Sequence, residues 1–284
     1  MAINKIMVIG AGQMGGGIAQ VAAEAGLQVV LNDIDRGVID KRLAFIGGLL
    51  EKNLAKGRIT AEQQQATFAR LIPSTDLQDA AGVDFIIEAA TENMALKAKI
   101  FRSLDEVARS GVILATNTSS LPITELAAVT LRPELVIGMH FMNPVPVMKL
   151  VEVIRGIATS DATYTAVKAL SEQMGKVPVE VNDYPGFIAN RLLMPMINEA
   201  IYCIYEGVAD AESIDTVMKL GLALPMGPLT LADFIGLDTC LAIMEVLYEG
   251  FADSKYRPCP LLRKMVKAGW LGKKSGKGFY DYSS

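Results

Sequence analysis

The chain is poor in cysteine. Its three, Cys203, Cys240 and Cys259, are odd in number, widely spaced and without C-x-x-C pairing. That suggests neither a disulfide framework nor a zinc site and fits a reducing, cytoplasmic compartment. Charge is nearly balanced: a net charge of −4 argues against non-specific binding to nucleic acid or an anionic membrane and leaves only local basic patches open. Long apolar runs are missing as well. The longest apolar segment, Phe187 to Tyr205, is interrupted by Asn190, Arg191, Asn198 and Glu199, which are expensive in a bilayer, so it reads as a buried helix of a soluble protein. Residues 1–9 run into a strand pattern with no basic n-region or cleavage site, so no secretory signal is expected. Internal repeats and low-complexity tracts are absent, and the chain holds one histidine, His140. What it has in quantity is apolar residue, 51% of the total. That share points to parallel strands covered on both faces and to a subunit interface. At 284 residues the chain is long for one core, and two domains are expected.

Ile3 to Ile9 is an apolar, β-branched run that ends at Gly10-Ala11-Gly12-Gln13-Met14-Gly15, after which Ile18, Ala19, Val21, Ala22 and Ala25 follow at helical spacing up to Gly26. Alone, G-x-G-x-x-G is a weak signal; between a strand and a helix it reads as a Rossmann-type dinucleotide turn. Gly10 makes the turn, Gly12 lets the backbone approach a pyrophosphate, Gly15 brings helix and strand together, and the helix N-terminus attracts the anion. The second strand, Val29 to Leu31, ends at Asn32-Asp33, and Asp33 is placed to bond the adenine ribose hydroxyls. Its charge would repel a 2′-phosphate, so NAD is favoured, while Arg36 nearby keeps NADP open.

A long helix is expected over Gly37 to Lys56 and another from Thr60, a plausible N-cap, to Leu71. Lys41, Arg42, Lys52, Lys56 and Arg58 lie here against only Asp40 and Glu51. They read either as a solvated face or, for Lys52 and Lys56 one turn apart, as a seat for the phosphates of a large anionic substrate. Strands near Leu71-Ile72, over Asp84 to Glu88 and over Val112 to Ala115 then alternate with helices over Met94 to Ala108 and Ile123 to Val129. That alternation predicts an α/β fold with a doubly wound, mostly parallel sheet. Loops 89–93 and 116–120 leave two strands at the carboxyl edge. Their hydroxyls and amides suit a carboxamide or a substrate oxygen, or equally helix capping, with Ser120 or Thr118 in that role. After a helix over Asp161 to Gly175 and a strand over Val177 to Val181, the turn cluster Asp183-Tyr184-Pro185-Gly186 ends the sheet pattern. Helix then follows helix. The boundaries predicted are a dinucleotide-binding domain, 1–182, and an all-helical C-terminal domain, 183–284, that buries a face on the first domain or on a second subunit. The glycine-rich, basic tail Gly272 to Tyr280 is a flexible end or a flap.

Leu135 to Val153 holds the chemistry. Val136 to Met139 reads as a buried strand, and Asn143-Pro144 with Pro146 forces the chain out of it, so His140 is expected where strand becomes loop. In the next strand, Lys149 to Ile154, alternation puts Glu152 on the face opposite Val151 and Val153. A carboxylate in so apolar a segment needs a partner. If that partner is His140, the two form a general base with its orienting acid; otherwise His140 is a core histidine bonded to a carbonyl and Glu152 a strand-end acid.

Taken together, the runs G-A-G-Q-M-G, E-A-A-T-E-N, N-T-S-S-L-P-I, G-M-H-F-M-N-P-V-P-V-M-K-L-V-E-V, P-G-F-I-A-N-R, P-M-G-P-L-T-L-A-D-F-I-G-L-D and S-G-K-G-F-Y resemble the 3-hydroxyacyl-CoA dehydrogenases, most of all the short bacterial 3-hydroxybutyryl-CoA enzymes. The resemblance covers the chain from end to end. It implies an NAD-dependent oxidoreductase that interconverts an (S)-3-hydroxyacyl-CoA and its 3-keto form as a homo-oligomer, a dimer or a dimer of dimers. It implies His140 as catalytic base, Glu152 as its partner, and Ser119 and Asn190 as holders of the reacting oxygen and thioester. Cofactor positions implied are Gly10, Ala11, Gly12, Gln13, Met14, Gly15, Asp33, Glu92, Lys97, Asn117, Ser119, Asn143 and Lys274. Lys56 and Lys52 match basic positions that meet coenzyme A phosphates, and no metal is implied. Ala223-Leu224 stands where some short-chain members carry polar residues, which leaves room for a longer acyl chain. Two rivals are a dehydrogenase of free 3-hydroxy acids, whose relatives use a catalytic lysine, and a cofactor-binding protein without turnover.

Overall fold

The computed structural model describes residues 3–283, and the chain divides into two compact units, one ending at Asp183 and the other starting at Tyr184. In the first unit, strand β1 (Lys5–Ile9) leads into helix α1 (Gln13–Glu24), β2 (Gln28–Asn32) into α2 (Arg36–Ala55) and α3 (Ala61–Ala69), and β3 (Leu71–Ser74) closes that half. Next come β4 (Phe85–Glu88), α4 (Met94–Val107), β5 (Ile113–Thr116), α5 (Ile123–Ala127), β6 (Val136–Phe141), β7 (Leu150–Arg155), α6 (Asp161–Gln173) and β8 (Val177–Asn182). All eight strands join one sheet in the order β3-β2-β1-β4-β5-β6-β7-β8. Strands β1 to β6 are parallel, β7 runs antiparallel to β6, and β8 is parallel to β7. The order reverses between β1 and β4, and such switch points open a crevice at the carboxyl ends of the strands.

Burial explains why these segments are strands. Every residue of β4 and β6 is buried, as two-sided coverage by helices requires. On α4, Lys97, Ala98, Phe101 and Leu104 are the buried positions, one stripe at helical spacing; burying Phe101 alone is worth about 1.5–3 kcal/mol. Thr60 caps α3 in a capping box with Gln63, satisfying two end groups at once. The first turn of α5, by contrast, is not capped by Ser120 or Thr118. Its Ile123 and Thr124 N–H groups donate to the Asp183 carboxylate at 3.1 and 2.7 Å, sixty residues ahead, which ties Asp183 to the first unit.

One sequence expectation is corrected here. His140 does not stand where strand becomes loop but within β6, because antiparallel pairing with β7 extends that strand through Phe141. Residues 142–149 connect the two strands. That is too short for the crossover a parallel pair needs, which is why the direction reverses.

The second unit is α7 (Ala189–Tyr205), α8 (Ala211–Gly221), α9 (Pro228–Ile235), α10 (Leu237–Phe251) and α11 (Pro260–Lys267). Met194, Ile197 and Ile201 of α7 pack with Leu229, Leu237, Leu247 and Leu262 in its core. The tail is neither loose nor open: the N–H groups of Phe279 and Tyr280 each donate to Asp233 at 3.0 Å, and the Tyr280 hydroxyl donates to Asp215 at 2.9 Å. Burial raises the Asp233 carboxyl above its usual range, against the hydrogen bonds from Tyr280 and Phe279 that favour its charge. Asp215 also accepts from Leu229 and Thr230 N–H at the start of α9, so two buried acids fasten the tail. Among the described residues no helix is long and apolar enough to cross a membrane.

Candidate active site

The glycine turn follows β1 directly. Gly10 has φ +95°, and a Cβ there would stand 2.6 Å from the Ala89 carbonyl oxygen; a Cβ on Gly15 would overlap the Gly10 carbonyl. Those two positions need glycine because strand and helix meet with no room between them. Gly12 differs, since a Cβ there would meet nothing within 4 Å, and as the N-cap of α1 it brings no side chain to the first N–H groups. An uncapped helix start facing open space is what an anionic group on the ligand requires. Asp33, at the end of β2, accepts from Ala11 N–H at 2.8 Å and from Asp35 N–H at 3.2 Å, which holds its carboxylate beside the turn. Arg36 pairs with Asp40 at 2.8 Å on the exposed face of α2. The Asp33 carboxylate beside the turn fits a dinucleotide whose adenine ribose carries no 2′-phosphate.

Beyond the turn, three loops are stitched together at the same edge of the sheet. Gln13 donates from Nε2 to Asn143 Oδ1 at 3.0 Å, joining the turn to the 142–149 loop. The Asn117 side-chain oxygen accepts from Phe141 N–H at 2.9 Å, joining β5 to β6. Glu92 Oε1 accepts from the Thr118 hydroxyl at 2.6 Å and from the N–H groups of Ser119 and Ser120 at 2.8 and 3.1 Å. Partial burial works to raise the Glu92 carboxyl, but Lys97 and the hydrogen bonds from Thr118 and Ser119 outweigh it and hold Glu92 below its usual range.

Lys97 is not a surface cation. It is 1% exposed, and its ammonium lies 2.7 Å from Glu88 Oε1, 3.1 Å from the Ala90 carbonyl and 3.6 Å from Glu92. Glu88 is fully buried and accepts in addition from Ala90 N–H and from the Thr116 hydroxyl, each at 2.7 Å. Glu88, Lys97 and Glu92 thus form a chain of alternating charge that ends at the loop carrying Ser119. Sequence reasoning named Lys97 and Glu92 but missed Glu88. The signal was present: an acid closing an all-apolar strand, and a lysine on the apolar stripe of the next helix, each need a buried partner.

His140 and Glu152 face each other across the β6–β7 pair, with Nδ1 and Oε2 2.8 Å apart. They are 8% and 2% exposed. Their neighbours Met139, Phe141, Val151 and Val153 point the other way, into the main core, as strand alternation demands. A carboxylate at Nδ1 fixes the neutral ring as the Nδ1–H tautomer and places the lone pair on Nε2. The bland reading, a core histidine bonded to a carbonyl, does not describe this contact.

Beside the turn lies a cavity of about 950 Å³ between α1, α2 and the 142–149 loop, walled by Val38, Phe45, Leu49, Val145, Pro146 and Val147. The cations on its lining are Lys41, Arg42 and Arg58. Lys52 and Lys56, singled out by their spacing, are exposed on the last turns of α2 and do not line it. Arg42 reaches back to the Ala11 carbonyl at 3.3 Å, and burial lowers its pKa from the ordinary arginine value. In the second unit, Asn190 is buried in the first turn of α7, and Lys274 pairs with Asp238. No cluster of three or more metal-binding side chains occurs among the described residues.

Residues 5–184 match the family model for the NAD binding domain of 3-hydroxyacyl-CoA dehydrogenase, and residues 186–282 match that for its C-terminal domain. A Bacillus subtilis protein named as a probable 3-hydroxybutyryl-CoA dehydrogenase is 62% identical over 99% of this chain and 98% of its own length. A 3-hydroxybutyryl-CoA dehydrogenase of Bradyrhizobium diazoefficiens is 56% identical over 99% and 96%. The crystal structure of (S)-3-hydroxybutyryl-CoA dehydrogenase from Ralstonia eutropha superposes with a TM-score of 0.98 at 52% identity, covering 100% of both chains. With an NAD-binding turn, a histidine–glutamate pair on its sheet and family matches across both units, the chain belongs to the 3-hydroxyacyl-CoA dehydrogenases, NAD-dependent oxidoreductases.

Proposed function

We propose that this dehydrogenase interconverts (S)-3-hydroxybutyryl-CoA and acetoacetyl-CoA, with His140 as the group that takes and returns the proton. The observation that carries the reading is the 2.8 Å contact between His140 Nδ1 and Glu152 Oε2. Bound NAD, held by the 10–15 turn, Asp33, Asn117, Asn143 and the Glu92 loop, supplies the hydride acceptor in one direction and the donor in the other. In oxidation, His140 Nε2 removes the C3 hydroxyl proton while the C–H bond at C3 gives up its hydride, so the alcohol becomes a ketone. In reduction the imidazolium returns that proton. The positive charge that develops on the ring is stabilised by the adjacent carboxylate in a poorly solvated site. General-base help of this kind is worth about 10² to 10⁴ in rate. Ser119 and Asn190 orient the reacting oxygen and the thioester. Lys52 and Lys56, with Arg58 on the cavity lining, meet the phosphates of coenzyme A.

Lys97, implied as a cofactor contact, acts in this reading through Glu92, the acid beside its ammonium. Exposed Leu192, Val217, Leu220 and Phe234 in the helical unit support a homo-oligomer, and three free cysteines suit a reducing cytoplasm. Absorbance of the reduced nicotinamide, followed with acetoacetyl-CoA and with free acetoacetate, tests the substrate class. Consumption with the thioester is expected; turnover with the free acid alone would remove coenzyme A from the reading.

A further inference from the structure

Lys176 belongs to no element of the proposed mechanism, yet its ammonium is placed with unusual care. It follows α6, where the Gly175 and Lys176 N–H groups close back on Glu172 and Ser171 at 2.9 and 3.0 Å, a helix stop that fixes the backbone. One residue later the Val177 N–H enters the sheet through Lys149 O at 2.8 Å. From that fixed base the side chain, only 7% exposed, reaches back some thirty residues to donate to two carbonyls of a single loop, those of Val145 and Met148, the second at 2.9 Å. No carboxylate forms an ion pair with it among the described residues. Burial, and then the neighbouring Lys149, lower its pKa, with Glu24 opposing them. A buried ammonium held by carbonyls alone is an expensive way to make a core. Its effect is to fix the 142–149 loop.

That loop has two other contacts, one on the glycine turn and one on α1. Asn143 accepts from Gln13 at 3.0 Å, and Val145 sits so close over α1 that a Cβ on Gly17 would meet its Cβ at 2.9 Å. The same loop supplies Val145, Pro146 and Val147 to the wall of the 950 Å³ cavity. We propose that Lys176 is a positioning residue for ligand binding, holding the 142–149 loop so that Asn143 and the apolar wall stand in register with the glycine turn. The proposal rests on the reading of Asn143 as a cofactor contact.

Three variants test it: Lys176→Met, Lys176→Gln and Asn143→Ala. NADH affinity is measured by fluorescence titration on the folded, monodisperse fraction, and KM and kcat are measured with acetoacetyl-CoA. Lys176→Met is expected to raise both Kd and KM about tenfold with kcat within about threefold of wild type, a loss of about one tenfold step in binding. Lys176→Gln, which keeps one donor, should fall between, and it carries the test if the methionine variant does not fold. A purely structural lysine would lower Tm and leave Kd and KM unchanged, and that result overturns the proposal. Should Asn143→Ala leave NADH affinity intact, the cofactor reading of Asn143 falls instead, which separates the two failures.

Discussion

Replacing Lys97 by methionine removes one charge from a site that water does not reach. Glu88, fully buried, then loses a cation at 2.7 Å and keeps two donors, Ala90 N–H and the Thr116 hydroxyl. Breaking a buried pair on one side costs about 3–5 kcal/mol, because the remaining charge is left uncompensated. Two surviving hydrogen bonds argue for the lower end, about 3 kcal/mol. For a domain of 150–250 residues each kcal/mol moves Tm by about 2–4 °C, so a fall of about 6–12 °C is expected in a calorimetric scan. The double variant Glu88→Gln, Lys97→Met leaves no lone charge at position 88 and should recover most of that loss, giving a coupling of at least about 1.5 kcal/mol in a double-mutant cycle. Activity should fall further than stability, since Lys97 also holds Glu92 over the Ser119 loop. A Tm loss below about 3 °C, or a double variant as unstable as the sum of the singles, would falsify the account of this pair.

Other substitutions probe the turn, the base and the acid limb of stability. His140→Gln should lose about 10² to 10⁴ in kcat while NADH affinity by fluorescence stays near wild type; a matching loss of affinity would move the ring to the cofactor. Glu152→Gln removes the charge that stabilises the imidazolium, so kcat should fall in both directions while NADH affinity stays near wild type, read from steady-state rates and fluorescence titration. Gly15→Ala forces a Cβ onto the Gly10 carbonyl and should abolish cofactor binding with a clear loss of Tm; a binding-competent variant would mean the turn can shift. Glu92 has a folded pKa held below the ordinary 4.5, so its stabilising contribution is present above that value and is lost as pH falls through the lower folded one. Acid unfolding of Glu92→Gln should accordingly be less steep below about pH 4.5 than that of the wild type.

Much of the first unit could be read from periodicity. Strands and helices alternate through most of 5–182, broken by the direct passage from β6 to β7, and the acid Asp33 follows the glycine turn at a telling distance. His140 and Glu152 are each polar in an otherwise apolar strand, which makes a pair one of the two readings the sequence allows, and their side chains touch. What remained hidden depended on partners distant in sequence. Lys176 bonds carbonyl oxygens, which every residue carries, so no pattern of side chains betrays it. Asp183 replaced the local caps expected for α5 for a similar reason: a serine or threonine just before a helix is only one of the acceptors the fold can bring there.

The reversal of β7 carries a consequence for how this site tolerates change. Acid and base sit opposite one another because backbone hydrogen bonds align Gly138 with Ile154 and Phe141 with Val151, so their distance is set by the weave of the ladder. A slip of β7 by one position would send Glu152 through the sheet to the face opposite His140. Insertions at the tip of the hairpin, by contrast, leave the ladder untouched. The apolar tip of that hairpin can therefore vary in length while the contact between His140 and Glu152 stays matched.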